Sequence, residues 1–191
     1  AASDVYKRQE YDGDLRVMPS YLEGLDISAV KVVNVHPQNK HRYGLPTVMA
    51  VVLLIDPKSG FPLSIMGGSW LTAMRTGAAG GVAAKYLARE DSETICFIGA
   101  GTQARTQLMA LSVVLKNIKT IKIYDLIEDA SKLFADYALK MIDGVKVEVC
   151  SSPRDAVNGA DVIVTVTPSR QPIVMSDWVG KGVHFNCIGA D

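Results

Sequence analysis

Gly99, Gly101 and Ala104 follow the apolar run Ile95-Cys96-Phe97-Ile98 at a spacing that lets a chain turn approach an anion closely. In Gly99-Ala100-Gly101-Thr102-Gln103-Ala104 the first glycine permits a tight turn out of a strand and the second keeps a Cβ away from whatever nears the backbone. Ala104 lets the helix that follows pack tightly on the strand, and the amides of Thr102 and Gln103 then meet the anion at the positive end of that helix. The same pattern calls for an acid at the end of the next strand, and Asp125 stands there, after Thr120 to Tyr124. A carboxylate so placed accepts hydrogen bonds from the two ribose hydroxyls of an adenosine, so turn and acid together describe a dinucleotide site. Leu126 and Ile127 follow Asp125, leaving no Arg beside it to neutralise a 2′-phosphate, which favours NAD over NADP. Taken singly, each feature has a plainer reading, a strand-helix connection or a solvated loop carboxylate, and the same half-fold also serves other nucleotides and S-adenosylmethionine.

Two cations stand where chemistry is possible. Lys31 interrupts the apolar run Val30 to Val35, either as an edge-strand charge that discourages aggregation or as an amine facing a pocket. Arg75 lies near the start of a helical stretch, as a solvated helix residue or as a clamp for an anion. Cys96, Cys150 and Cys187 are odd in number, far apart and set in apolar runs, so each reads as a small core residue, not a metal ligand or half of a disulfide. No metal site is expected.

The elements that must position these groups fall into two patterns. From Leu15 to Ile65 the chain reads as strands, with Val30 to Val35 and Thr47 to Ile55 followed by a turn at Asp56-Pro57-Lys58-Ser59-Gly60 and a strand from Phe61 to Met66. A long helix is predicted over Leu71 to Arg89. Beyond it, strands at 94–98, 120–124, 145–150, 161–166 and 183–188 alternate with helices at 102–116, 128–141 and 153–158 and a turn or short helix near 176–179. That alternation predicts an α/β fold, a Rossmann-type doubly wound parallel sheet, beside a partial β-rich lobe. The expected divisions are 1–9, 10–70 and 71–191. The first is set apart because Asp4-Val5-Tyr6-Lys7-Arg8-Gln9 resembles the translation of a sequencing-library adapter, and the chain reads as a reading frame cut at both ends.

Composition narrows the function classes. With 191 residues, 48% of them hydrophobic, the chain can bury one good core or two modest ones, and 20 basic against 20 acidic residues leave no net field to attract nucleic acid or an anionic membrane. The longest apolar stretch, Val48 to Ile55, is too short to span a bilayer, and no signal-peptide pattern occurs, so a cytoplasmic location is expected.

At Leu71-Thr72-Ala73-Met74-Arg75-Thr76-Gly77-Ala78-Ala79, at Ala84-Lys85-Tyr86-Leu87-Ala88-Arg89 and at the glycine turn, the chain resembles the ornithine cyclodeaminase/mu-crystallin family. Matching pieces recur at Lys31 to Pro37, Gly44-Leu45-Pro46-Thr47, Thr165 to Ser169 and Gly182 to Asp191. The resemblance implies a protein that is a homodimer when full length, with a β-rich substrate and dimerisation lobe and a Rossmann domain holding NAD(P), acting on amino acids and cyclic imines. It implies that Arg75 binds the substrate carboxylate or the nearby cofactor, that Lys31 binds substrate or shuttles a proton, and that Asp191 is the catalytic acid/base. It also implies that Thr47, Thr76 and Thr165 lie near the cofactor, although a single Thr is more often a strand or capping residue.

Within the family, Arg16 in Gly13-Asp14-Leu15-Arg16-Val17-Met18-Pro19 occupies a position where cyclodeaminases usually carry an acid, and a cation there would repel the second amino group of ornithine. The expectation is therefore the archaeal-type alanine dehydrogenase branch: NAD-dependent oxidative deamination of a small L-amino acid, L-alanine giving pyruvate and ammonia. Alternatives are an ornithine cyclodeaminase, a cyclic imine reductase and a non-catalytic NAD(P)-binding protein like mu-crystallin. The last draws on Gly67, which leaves no side chain in a stretch where family members often carry an acid.

Overall fold

The computed structural model describes residues 4–8, 11–169 and 171–189. The chain divides into two compact units, Ala1–Thr72 and Ala73–Asp191.

The first unit is an antiparallel meander of β1 (Asp4–Arg8), β2 (Gly13–Leu22), β3 (Ile27–Val35), β4 (Val48–Ile55) and β5 (Pro62–Gly67), in sheet order β1-β2-β3-β4-β5. The connections from β2 to β3 and from β4 to β5 are tight returns. Asp26, with φ 46°, ends the turn from β2 to β3, and the Asp56 carboxylate gathers the amides of Lys58 and Ser59 at 3.2 Å each in the turn from β4 to β5. β1 falls within residues 1–9, set apart in the sequence, and its backbone pairs along β2, from Asp4 opposite Val17 to Arg8 opposite Gly13. A five-residue segment of any origin can add to an open sheet edge, because main-chain hydrogen bonds do not depend on side-chain identity. A short helix, α1 (Asn39–Tyr43), separates β3 from β4 and was not expected from the sequence; Gly44 closes it at φ 66° and the Asn39 amide donates to the Pro46 carbonyl at 3.1 Å.

Helix α2 (Ser69–Leu87) leads into the second unit, where β6 (Thr94–Ile98), β7 (Thr120–Tyr124), β8 (Lys146–Val149), β9 (Val162–Thr165) and β10 (His184–Cys187) form a parallel sheet of order β10-β9-β6-β7-β8. Helices α3 (Thr102–Val114) and α4 (Glu128–Met141) connect the strands on one face and α5 (Pro153–Val157) on the other, which makes the sheet doubly wound. Alternation along β6 divides the core. Ile95 and Phe97 pack with α3 and α4, where Phe97 meets Phe134 at 4.9 Å between ring centres, while Cys96 and Ile98 pack against Ala156 and Val157 of α5. Burying each such side chain contributes about 1.5–3 kcal/mol. Among the described residues, no helix is long and apolar enough to cross a membrane and no group of three or more His, Cys, Asp or Glu can hold a metal ion.

One cysteine departs from expectation. Cys96 is buried and Cys150 partly so, but Cys187, the last residue of β10, is exposed. Burial also pushes the Cys96 thiol well above its ordinary range, which leaves it inert as a nucleophile.

At the amino ends of the strands, Asp161 accepts the amides of Glu93 and Thr94 at 2.9 and 3.0 Å and also pairs with the Arg89 guanidinium, which donates in turn to the Gly182 carbonyl at 2.8 Å. Burial pushes the Asp161 carboxyl up, but the two amides and Arg89 together outweigh it and hold it below the usual carboxylate range. A carboxyl whose folded value is depressed stabilises the fold above its unfolded value, near 3.9, and that contribution is lost as pH falls through the folded value. Asp161→Ala is expected to cost about 2 kcal/mol at pH 7, read as a lowered melting temperature, with the gap to the parent narrowing below about pH 4. A gap independent of pH would show that the carboxylate charge plays no part.

Candidate functional site

The carboxyl ends of β6, β7 and β9 converge on the glycine turn. Gly99 donates its amide to the Tyr124 carbonyl at 2.8 Å and adopts φ 102°, which L side chains rarely adopt. A Cβ there would also stand 2.9 Å from the Val166 carbonyl oxygen. Gly101 is different. It caps the N-terminus of α3 with φ −77° and ψ −165°, ordinary extended backbone, and a Cβ built on it meets nothing within 4 Å. The space above it is open, and no side chain of the cap takes the first amides of α3. A helix start with exposed amides under open space is a place for a phosphate.

Asp125 follows β7, half-buried, and both its oxygens are engaged: Oδ2 accepts the Ala100 amide at 2.8 Å and Oδ1 the Ile127 amide at 2.9 Å. The carboxylate is thereby fixed against the glycine turn, and each oxygen keeps a second lone pair for a ribose hydroxyl. Leu126 is 91% exposed and Ile127 61%, so neither puts a cation beside it. Thr165 ends β9, where its carbonyl accepts the amides of Ile188 and Gly189 at 3.0 and 3.1 Å. The structure thus brings Gly99, Gly101, Thr102, Gln103, Asp125 and Thr165 to one end of one sheet, next to the point where strand order reverses between β6 and β9.

Arg75 and Thr76 sit on α2 in the same unit, Arg75 exposed and Thr76 half-buried. The Thr76 carbonyl receives the side-chain amide of Gln107 at 2.9 Å. Gln107 went unnoticed in the sequence; the available signal was a long polar side chain set among Ala104, Leu108 and Leu111 on the packed face of α3.

Lys31, Arg16 and Thr47 belong to the first unit. Lys31 lies at the middle of β3, opposite Met18 on β2 and Val52 on β4. β3 is the central strand, so the edge-charge reading of Lys31 fails. Alternation puts Lys31 on the face of Val33, Ala50 and Val52, all buried, so an amine stands within an apolar surface. Arg16 shares that face, opposite Val33, and its Nε and Nη2 both donate to Asp14 Oδ2, at 2.9 and 2.6 Å. Asp14 neutralises Arg16, so Arg16 no longer speaks against a diamine substrate. Thr47 offers its carbonyl to the His36 amide at 2.9 Å, a role any residue could fill. Asp191 lies outside the described residues.

A family model for the ornithine cyclodeaminase/mu-crystallin family matches residues 3–191. Alanine dehydrogenase of Archaeoglobus fulgidus is 49% identical over 179 residues, which cover 94% of this chain and 53% of that protein. The structure of Thermococcus litoralis Delta(1)-pyrroline-2-carboxylate reductase with NADH and L-proline matches at a TM-score of 0.91 and 43% identity, over 97% of this chain and 56% of that one. An archaeal alanine dehydrogenase dimer with bound NAD matches at 0.88 and 44%, over 99% and 56%. The chain spans about half the length of the relatives it matches.

Proposed function

The chain belongs to the ornithine cyclodeaminase/mu-crystallin family, and from that premise we propose that it holds NAD on its parallel-sheet unit and that the whole protein oxidatively deaminates a small L-amino acid, L-alanine foremost. The observation that carries the cofactor reading is the open cradle at Gly101 beside the fixed Asp125 carboxylate. The amides of Thr102 and Gln103 hold the pyrophosphate, Asp125 the adenosine ribose, and Thr165 and Thr76 flank them. Bound there, NAD supplies a hydride acceptor for the substrate Cα. The balance is L-alanine, NAD⁺ and water to pyruvate, ammonium, NADH and a proton.

The remaining work is binding and proton transfer. Arg75 suits the substrate carboxylate because a guanidinium presents two parallel donors to two oxygens. Lys31 presents its amine on an apolar face and can hold or release the proton of the substrate amine. Asp191 is the acid/base that activates water for attack on the imine carbon. Support for alanine comes from the 49% identity to the Archaeoglobus enzyme. A second reading, reduction of a cyclic imine, is favoured by the likeness to the Thermococcus reductase and uses the same hydride path in reverse. A homodimer is supported by the dimeric archaeal relative; the outer face of the first sheet, with Tyr21, Val51 and Ile65 exposed, offers apolar surface for it.

Three assays decide among the substrates: NADH formed from L-alanine, NADH consumed with Δ1-pyrroline-2-carboxylate, and proline formed from L-ornithine without net NADH. Alanine turnover at least tenfold above the others is expected, and ornithine turnover without net NADH would overturn the proposal.

A further inference from the structure

Gln107 on α3 is completely buried, and Asn186 and His184 on β10 nearly so, and the three form one directed chain of hydrogen bonds. Asn186 Nδ2 donates to the Gly80 carbonyl at 3.1 Å and to Gln107 Oε1 at 3.3 Å, and Gln107 Nε2 donates to the Thr76 carbonyl at 2.9 Å. Since both Asn186 hydrogens point that way, its Oδ1 is an acceptor, and the His184 Nε2 at 2.9 Å is the donor. Reversing either amide would set oxygen against a helix carbonyl, so the direction is fixed by the partners. Thr76 and Gly80 stand one turn apart on one face of α2, and both carbonyls receive a side-chain donor in addition to their helical one. There is no slack: a Cβ on Gly80 would come 2.0 Å from Gln107 Oε1.

The chain therefore ties the first turns of α2, which carry Arg75 and Thr76, to the second turn of α3, whose first amides face the cradle. A buried apolar contact would hold two helices together while letting them slide by fractions of an ångström; two hydrogen bonds to consecutive turns fix the axial position as well. We infer that Gln107 and Asn186 are positioning residues that set Arg75 and Thr76 in register with the glycine turn. This rests on the reading of that turn as the cofactor site and of Arg75 as a group that meets cofactor or substrate.

The test is a pair of double-mutant cycles on the full chain, read as the dissociation constant for NADH by fluorescence titration. Gln107→Met keeps length and volume but removes the donor and acceptor, and is expected to weaken NADH about tenfold alone. In a background carrying both Arg75→Ala and Thr76→Ala the same change is expected to alter affinity less than about twofold, because the side chains it positions are gone; in an Asp125→Ala background the full tenfold loss is expected to remain. A merely structural role would give equal losses in both backgrounds, and that result overturns the inference, as does an unchanged affinity in Gln107→Met. Should Gln107→Met fail to fold by circular dichroism, the cycles are run with Gly80→Ala, which displaces the Gln107 amide without deleting it, with the same pattern expected. If the parent chain binds no NADH, the cofactor reading falls and this inference with it; if the parent binds and the cycles are additive, only the inference falls.

Discussion

Gly101→Val is expected to weaken NADH binding about a thousandfold while lowering the melting temperature by only a few degrees. The backbone at Gly101 is extended, with φ −77° and ψ −165°, so valine adopts it without strain, and its Cβ meets no protein atom within 4 Å. The fold loses only the preference of a helix N-cap for glycine over valine, up to about 1 kcal/mol. The ligand loses far more, since the side chain fills the space through which the pyrophosphate reaches the first amides of α3. Forfeiting two charge-assisted hydrogen bonds at about 2 kcal/mol each corresponds to roughly three orders of magnitude. Gly99→Ala is the contrasting control. At φ 102°, with the Val166 carbonyl 2.9 Å from the new Cβ, it is expected to unfold the turn and lower stability and affinity together. Thermal melts beside fluorescence titrations separate the two cases, and a Gly101→Val chain that still binds NADH normally would remove the pyrophosphate from this turn.

The second large effect concerns which dinucleotide is taken. The double change Asp125→Ser with Leu126→Arg is expected to weaken NADH roughly 30-fold and strengthen NADPH by a similar factor, shifting their ratio about a thousandfold. Serine keeps one acceptor for the Ala100 or Ile127 amide that Asp125 now holds, and removes a charge that would repel a 2′-phosphate. Leu126 is 91% exposed, so an arginine there meets no packing obstacle and can present its donors to the phosphate. Titrating parent and variant with each dinucleotide checks this; equal affinity of the parent for both would mean that Asp125 does not face the ribose.

The cofactor half of the site was the more legible. Strand β6, the glycine turn and the start of α3 are contiguous, and Asp125 ends the very next strand, so periodicity and turn sterics place all of them within a short stretch of chain. The strands and helices of that unit fall within a few residues of expectation because a parallel sheet imposes long alternating blocks with strong apolar signals. The first unit was harder. β2 carries Asp14, Arg16 and Pro19 among its apolar residues, so the stretch read as strands from Leu15 showed no bounds for it, and α1, a single basic turn with no periodic face, gave no signal.

What the residues determined by themselves was local. They fixed a strand that must turn at Gly99, a helix whose first amides stay bare, and an acid one strand later with no cation beside it. Whatever depended on partners distant along the chain was decided by tertiary packing. Lys31 became a central-strand amine on a buried face only once β2 and β4 flanked it, and Cys187 came out exposed at the end of β10 although it sits in an apolar run. The link from Asn186 to Gln107 to Thr76 joins residues that no local rule relates, since a buried amide takes whichever carbonyl the packed helices bring within reach.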